Sequence, residues 1–382
     1  MGGNRRPLHP LAFSGMLAPG MGRNDILIVG GGIIGCALAL ELAEEKLSVT
    51  VVEKGEPGRE ASWAAAGMLA PGAEHNGHPA STELARASAE LYPGWAAKLA
   101  ARTSLDLGYR TEGTLLVAFS EEEARVLSAV EGEHLTGDEL CRREPALSAR
   151  LVSGVFLPDD HQVDNRVLLE ALLQATRGTG VEFRTGTEAR ELLIESGRAV
   201  GVRLADRSRV ETGAVVNAAG CWAGRLGPAA ARLAPTHPVR GQVVALGREQ
   251  PLLRHVVRSA RAYLVPRADG RLLIGSTMEE VGYDKSVTPG VLRRLLAAAR
   301  EMVPAAAAML FAEAWAGLRP DTPDHRPILG ATDVEDFFVA TGHFRNGILL
   351  APITARLLTE VILGRRPTLP LEPFSPLRFA AK

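Results

Sequence analysis

The sequence predicts a mixed α/β protein (α+β overall) in which a parallel sheet is joined to a second, mainly antiparallel one. Three observations lead there. A strand, glycine turn, helix and strand follow one another through residues 25–54, and a strand and glycine loop lead into a helix at 337–363. Between these units, residues 235–278 hold one strand-like run after another, without a helical period.

In the first unit, residues 26–29 are a short apolar run that suits a strand buried on both faces. Gly30-Gly31-Gly32-Ile33-Ile34-Gly35 then spells G-x-G-x-x-G. Gly30 permits the tight turn, Gly32 lets the backbone approach a pyrophosphate, and Gly35 lets the helix pack close to the sheet. The helix expected over 33–45 directs its N-terminal N–H groups at that phosphate. A second strand at 48–52 ends at Glu53, placed to accept a hydrogen bond from a ribose 2′-OH. No arginine stands there to favour a 2′-phosphate. NAD and FAD are equally allowed. The uncharged run 26–40 is too short to span a bilayer and contains four glycines.

The chain of 382 residues is long enough for two domains, and its net charge of −1 gives no field that draws it to nucleic acid or anionic lipid. Cys36, Cys141 and Cys221 are odd in number and widely spaced, which argues for a reducing, cytoplasmic setting rather than a disulfide framework. Residues 1–24 read as a flexible extension. Arg5-Arg6 lacks the apolar segment of a twin-arginine signal, and Met21 is an alternative start.

Small residues in the loop 55–78 allow close approach to a bulky planar ligand, and Glu74, His75 and His78 read as loop residues rather than a metal site. Helices are expected over 82–102, 121–127 and 166–177, and strands at 113–119 and 152–164. Short strands at 181–186, 189–195 and 199–205 lead to one at 215–216, after which Asn217–Gly220 turns into a helix. Thr288-Pro289 opens a helix over 291–302. Residues 337–341 form a strand, GHFRNG a loop, and 348–363 an apolar helix.

The motifs VGGGIIG, AAAGMLAP, AYLVPR, GSTMEE, WAGLRP and ATGHFRNGILLAP together resemble the glycine oxidase branch of the D-amino acid oxidase-like flavoproteins. The resemblance covers residues 25–363 and implies a Rossmann-like FAD-binding domain with a discontinuous substrate domain. FAD-binding pieces are expected at 25–75, 151–230 and 318–382, and substrate-domain pieces at 76–150 and 231–317. Related sarcosine oxidases usually link flavin to a late cysteine. None follows Cys221 here, which implies non-covalent FAD.

A dehydrogenating flavoenzyme needs no acid–base side chain if the amine arrives neutral and hydride passes directly from Cα to flavin N5. It does need a fixed anchor for the substrate carboxylate, a task suited to the planar guanidinium of arginine. Arg319 is the first choice; its alternative is a salt bridge to Asp321 or Asp324. Tyr263 offers a hydroxyl to the same carboxylate, Arg345 resembles a second arginine of the site, and Met278 an apolar wall. For FAD, the resemblance carries over Ile33, Ile34, Glu53, Lys54, Ser62, Ala66, Gly67 and Met68, with backbone contacts at Ala189 and Gly220. The residues His343, Phe344, Arg345, Asn346, Gly347, Ile348 and Leu349 are placed at the flavin ring, where N–H groups at a helix start stabilise charge on it. Arg261 departs from the family pattern near the entrance.

The implied reaction is oxidation of glycine, with sarcosine and small D-amino acids as further candidates, to the imine and then glyoxylate and ammonia, with O₂ reduced to hydrogen peroxide. Its family role is supply of the thiamine thiazole, and homotetramers occur in the family. A D-amino acid dehydrogenase passing electrons to a quinone is the alternative. No amphipathic basic stretch marks a membrane face, and no metal site or nucleic-acid surface is expected.

Overall fold

Apolar residues on both faces put β1 (Asn24–Val29) in the middle of the first sheet, with Ile26, Leu27 and Ile28 fully buried. It runs into α1 (Ile33–Glu44), which is buried almost all round because sheet and neighbouring helices enclose it. β2 (Val49–Val52) then returns parallel to β1. The computed structural model describes residues 24–72 and 78–380; Asn24, expected in the N-terminal extension, instead opens β1, while the rest of that extension, Glu74 and His75 lie outside the described residues.

The order continues through α2 (Ala61–Ala64), β3 (Met68–Leu69), α3 (Pro79–Thr103), β4 (Thr114–Ala118), α4 (Glu121–Leu127), β5 (Glu133–Thr136), α5 (Gly137–Arg143), β6 (Ser153–Leu157), β7 (His161–Gln162) and α6 (Asn165–Arg177). Next come β8 (Glu182–Arg184), β9 (Ala189–Glu195), β10 (Arg198–Leu204), β11 (Arg209–Asn217), α7 (Pro228–Leu233), β12 (His237–Gly247), β13 (Val256–Arg258), β14 (Tyr263–Pro266) and β15 (Leu272–Gly275). The chain closes with α8 (Pro289–Met302), β16 (Leu310–Asp321), β17 (Ile328–Ala331), β18 (Phe337–Thr341) and α9 (Gly347–Ile362).

In the first sheet the order is β17-β18-β11-β1-β2-β8, parallel except for β17, with β10 and β9 extending antiparallel from β11. The second sheet runs β16-β12-β15-β14-β13-β4-β6-β5 and is antiparallel except where β13 meets β4. That matches the mixed α/β expectation.

The expected division of the chain shifts at three places. α3, assigned to the substrate part, packs in the first core beside α1, α6 and α9, with Tyr92 Oη donating to Ile348 O at 3.0 Å and Ser88 Oγ to Leu349 O at 2.6 Å. β6, expected on the cofactor side, pairs with β4 and β5 in the second sheet. β16 crosses the expected boundary at 318 and pairs with β12 along its length. In each case the deciding partner is a separate element of the sheet or core rather than a neighbour within the same element, so no local pattern reports it. The turn after Asn217 is 3-10 over Gly220–Arg225 rather than an α-helix.

The C-terminal turn is latched to the β16–β17 connection. Arg378 donates to Asp324 (Nε to Oδ2, 2.8 Å) and to the carbonyls of Phe374 and Arg326, while Arg326 Nη2 reaches the same Asp324 oxygen at 2.7 Å. Burial alone would raise the Asp324 carboxyl, but Arg378 and Arg326 hold it well below its usual range. A depressed carboxyl contributes stability above its unfolded pKa of about 4 and loses it as pH falls through the folded value. Arg378→Ala should therefore cost about 2–3 kcal/mol at neutral pH in urea unfolding, and the difference from wild type should shrink below about pH 4. A difference that stays constant into acid would remove Asp324 from this account.

Candidate cofactor and substrate cleft

A cleft of about 1620 Å³, counted to its open mouth, runs between the two sheets. The ends of β1, β2, β11 and β18 form one wall, and β12, β14 and β16 the other. Residues from α2 to Met68, together with the loop before α9, line its length.

At one end the glycine turn is held by its own packing. A Cβ on Gly35 would lie 1.9 Å from Gly30 O, and one on Gly30, at φ +109°, would lie 2.5 Å from Ala218 O. Glu53 is 8% exposed and accepts from Gly31 N at 2.8 Å and Gly55 N at 2.9 Å, so one carboxylate ties the turn to the loop after β2. Ser62 Oγ accepts from Ile33 N at 3.0 Å. Gly32 caps α1 without a side-chain hydrogen bond, which leaves first-turn N–H groups facing the cleft for an anion. Beside them Lys54 Nζ stands 3.1 Å from the centre of the Trp222 ring.

At the other end Arg319 reaches from β16 across β12. Its Nη2 donates to Ser276 Oγ at 2.5 Å and its Nη1 to Thr277 O at 3.0 Å. The reach depends on Gly241, where a Cβ would stand 2.4 Å from Arg319 Nη1. The alternative salt bridges are engaged elsewhere: Asp321 accepts from Thr322 N and meets His325, and Asp324 pairs with Arg378 and Arg326. Tyr263, on β14, packs against Gly275 and lines the same end with Ser276 and Arg345.

The loop before α9 closes the cleft. Phe344 holds a left-handed φ of 48°, fixed by its N–H donating to Pro320 O at 2.9 Å. His343 Nε2 lies 3.0 Å from Thr354 Oγ1, and burial pushes its imidazole down to about 3, so it stays neutral in the working range. Proton NMR should show no His343 titration between pH 5 and 8; a midpoint near the ordinary value of about 6.5 would contradict its burial.

Residues 25–361 match the family described as FAD dependent oxidoreductase (DAO). The chain belongs to that family. It is 36% identical over 372 residues to the glycine oxidase of Geobacillus kaustophilus, covering 94% of this chain and 98% of that one. The crystal structure of glycine oxidase from Geobacillus kaustophilus superposes with a TM-score of 0.87 at 34% identity, covering 93% of this chain and 99% of that one. A bifunctional protein ThiO/ThiG from Synechocystis sp. is 38% identical over 363 residues, which are 93% of this chain and 54% of that protein. The chain spans about half the length of that bifunctional relative.

As a DAO-family FAD-dependent oxidoreductase, the protein has a donor set that fits FAD. The Glu53 carboxylate retains acceptor capacity beyond its two backbone bonds, and Lys54, Glu188 and Ala189 complete the end suited to the adenosine. Gly32, Ile33 and Ile34 face the place for a pyrophosphate. Ala64–Met68 together with His343, Phe344, Arg345, Gly347 and Ile348 line a stretch of the cleft suited to a planar ring.

Most sequence-expected residues therefore meet in one cleft: Gly30, Gly32, Ile33, Ile34, Glu53, Lys54, Ser62, Ala66, Gly67, Met68, Ala189, Gly220, Tyr263, Arg319, His343, Phe344, Arg345, Gly347 and Ile348. Five do not line it. Gly35 acts behind the turn through helix packing, Asn346 donates its N–H to His343 O, and Leu349 is buried beneath the loop. Met278 is 60% exposed and stands one contact outside, its Sδ 4.0 Å from Arg345 Nη1. Arg261, expected near the entrance, instead pairs with Glu301 and Glu123 and covers Phe119. Among the described residues no cluster could hold a metal, and no helix is long and apolar enough to cross a membrane.

Sequence reasoning missed Trp222, Arg225 and Glu60 at the nucleotide end, and Gly241 and Ser276 at the other. Ser276 stood inside a recognised motif; Gly241 gave no local signal. It also missed how the walls are held. Arg267, the arginine of AYLVPR, is buried behind the cleft and donates to Ala66 O at 2.7 Å, while Trp315 Nε1 donates to Ala64 O at 3.0 Å. Arg166, pressed between Trp63 and Trp315, pairs with Glu313 at 2.6 Å.

Proposed function

We propose that this protein is an amino acid oxidase acting on glycine, with sarcosine and small D-amino acids as further substrates and O₂ as acceptor. The observation that carries this reading is Arg319, held by Ser276 and Thr277 so that its guanidinium lines the cleft beside Tyr263. A planar fork in that position suits a carboxylate, and a tyrosine hydroxyl adds a further donor. The glycine oxidase relatives support the choice of a small amino acid.

Bound FAD would supply the two-electron chemistry by which glycine, water and O₂ become glyoxylate, ammonia and hydrogen peroxide. The chain's own residues bind and orient. Arg319 and Tyr263 would fix the carboxylate, which leaves Cα and the amine to be presented to the cofactor. Ala66, Val243, Val265 and Trp315 pack an apolar wall behind it that excludes water. No side chain is required as base, and neutral His343, bonded to Thr354, is unsuited to be one. FAD is held non-covalently on this reading: Cys221 is the one cysteine among the lining residues, and burial pushes its thiol up to about 12, away from the reactive thiolate. The ThiO/ThiG relatives favour a role in supplying the thiamine thiazole.

A substrate panel with peroxide detection tests the assignment: glycine, sarcosine, D-alanine, D-proline and a bulky D-amino acid. Strong peroxide release with glycine supports the oxidase, whereas flavin reduction without peroxide supports the quinone-linked dehydrogenase. Gly241→Ala should raise the glycine KM about tenfold with FAD still bound, because the new methyl displaces the Arg319 guanidinium. An unchanged KM would show that the anchor does not rest there.

A further inference from the structure

The acceptors that hold Arg319 belong to the stretch 276–279, which leaves β15 and continues along β12. Its placement converges on one carboxylate. Glu279 accepts from Arg240 Nη2 at 2.7 Å, from Gln242 Nε2 at 3.0 Å and from Thr277 Oγ1. Its backbone exchanges hydrogen bonds with Arg240, N to O at 2.9 Å and 3.0 Å. Thr277 Oγ1 in turn accepts from Gln242 N at 3.0 Å, and Thr277 O is the oxygen that accepts from Arg319. Arg240 and Gln242 are buried on β12. Gly241, between them, is the residue whose missing side chain makes room for Arg319.

We propose that Glu279 is a positioning residue for the substrate carboxylate, acting through Thr277 and Ser276 on the Arg319 guanidinium. Glu279 is absent from the cleft lining and from every motif role derived above; its link to substrate is through the shape of this stretch. Burial alone would raise its carboxyl, but the bonds from Arg240, Thr277 and Gln242 hold it below the usual range, so it is charged wherever the enzyme works. Loss of that charge removes the ion pair to Arg240 and loosens the joint of the stretch with β12. Ser276 Oγ and Thr277 O then no longer hold the fork in one orientation, and carboxylate affinity falls while the cofactor end is untouched. Asp284, which also pairs with Arg240, makes no bond to residues 276–279 and should not share the effect.

The inference rests on the reading of Arg319 as carboxylate anchor, and one experiment separates the two. Glu279→Gln, Glu279→Ala, Asp284→Asn and Arg319→Ala are each titrated in the FAD-loaded state with acetate, followed by flavin absorbance, and with glycine for kcat and KM. Glu279→Gln is expected to raise the acetate Kd and the glycine KM together by about tenfold, with kcat within about twofold and FAD affinity unchanged. Asp284→Asn should match wild type. In the Arg319→Ala background, Glu279→Gln should add less than about twofold, because the group it positions is gone. Four results would overturn the proposal: wild-type acetate affinity in both Glu279 variants while Arg319→Ala is weakened, a full additive penalty in the double variant, the same loss in Asp284→Asn, or a loss of FAD affinity in step with KM. If Arg319→Ala itself binds acetate normally, the anchor reading falls and this inference falls with it.

Discussion

Arg319→Ala is expected to raise the KM for glycine about 100-fold or more, from a loss of about 3 kcal/mol when one partner of a desolvated charge pair is truncated. FAD should remain bound, because Glu53, the glycine turn and Ser62 lie at the opposite end of the cleft. The structure gives the guanidinium neutral holders, Ser276 Oγ and Thr277 O, while Asp321 and Asp324 are taken by other partners. Lysine should rescue poorly, since a point charge cannot reproduce the fork. Steady-state kinetics with flavin content measured alongside decides it. A KM within twofold of wild type would end the assignment.

Glu53→Ala is expected to weaken FAD binding by about 2–4 kcal/mol, roughly 30- to 1000-fold in Kd, while any enzyme reconstituted with excess FAD keeps its glycine KM. A ribose hydrogen bond alone would account for only part of that. The rest arises because the carboxylate also accepts from Gly31 N and Gly55 N, and its removal leaves two backbone donors unpaired in a buried turn. Glu53→Gln, which keeps one acceptor oxygen, should fall between. Equal FAD affinity in Glu53→Ala, read by fluorescence titration of the apoprotein, would remove Glu53 from both roles.

Much of the cofactor end was legible in the sequence because its determinants are local. G-x-G-x-x-G, the strands on either side and Glu53 all fall within thirty residues, and each acts on the next through the backbone. The substrate end was legible only as residues without a frame. GLRP marked Arg319, but nothing nearby revealed that it sits on a twelve-residue strand, or that it crosses β12 over Gly241. Strand β16 contains Gly317 and Pro320, poor strand formers, and owes its state to the pairing with β12. The helix α3 was expected from its sequence, but the same distance hid its place beside α1, α6 and α9. Met278, inside the GSTMEE motif, and Arg261, just before AYLVPR, do not line the cleft: Met278 stands outside Arg345, and Arg261 pairs with Glu301. Motifs report which residues a site needs; the packing that aims them is long-range.

This cleft holds FAD, and its proposed reductant is a small amino acid. Anaerobic titration of the FAD-loaded protein with glycine tests it most directly. Glycine should bleach the flavin absorption stoichiometrically, and admitting air should restore it with equimolar hydrogen peroxide. A protein that binds FAD yet stays fully oxidised with excess glycine, sarcosine and D-alanine would contradict it.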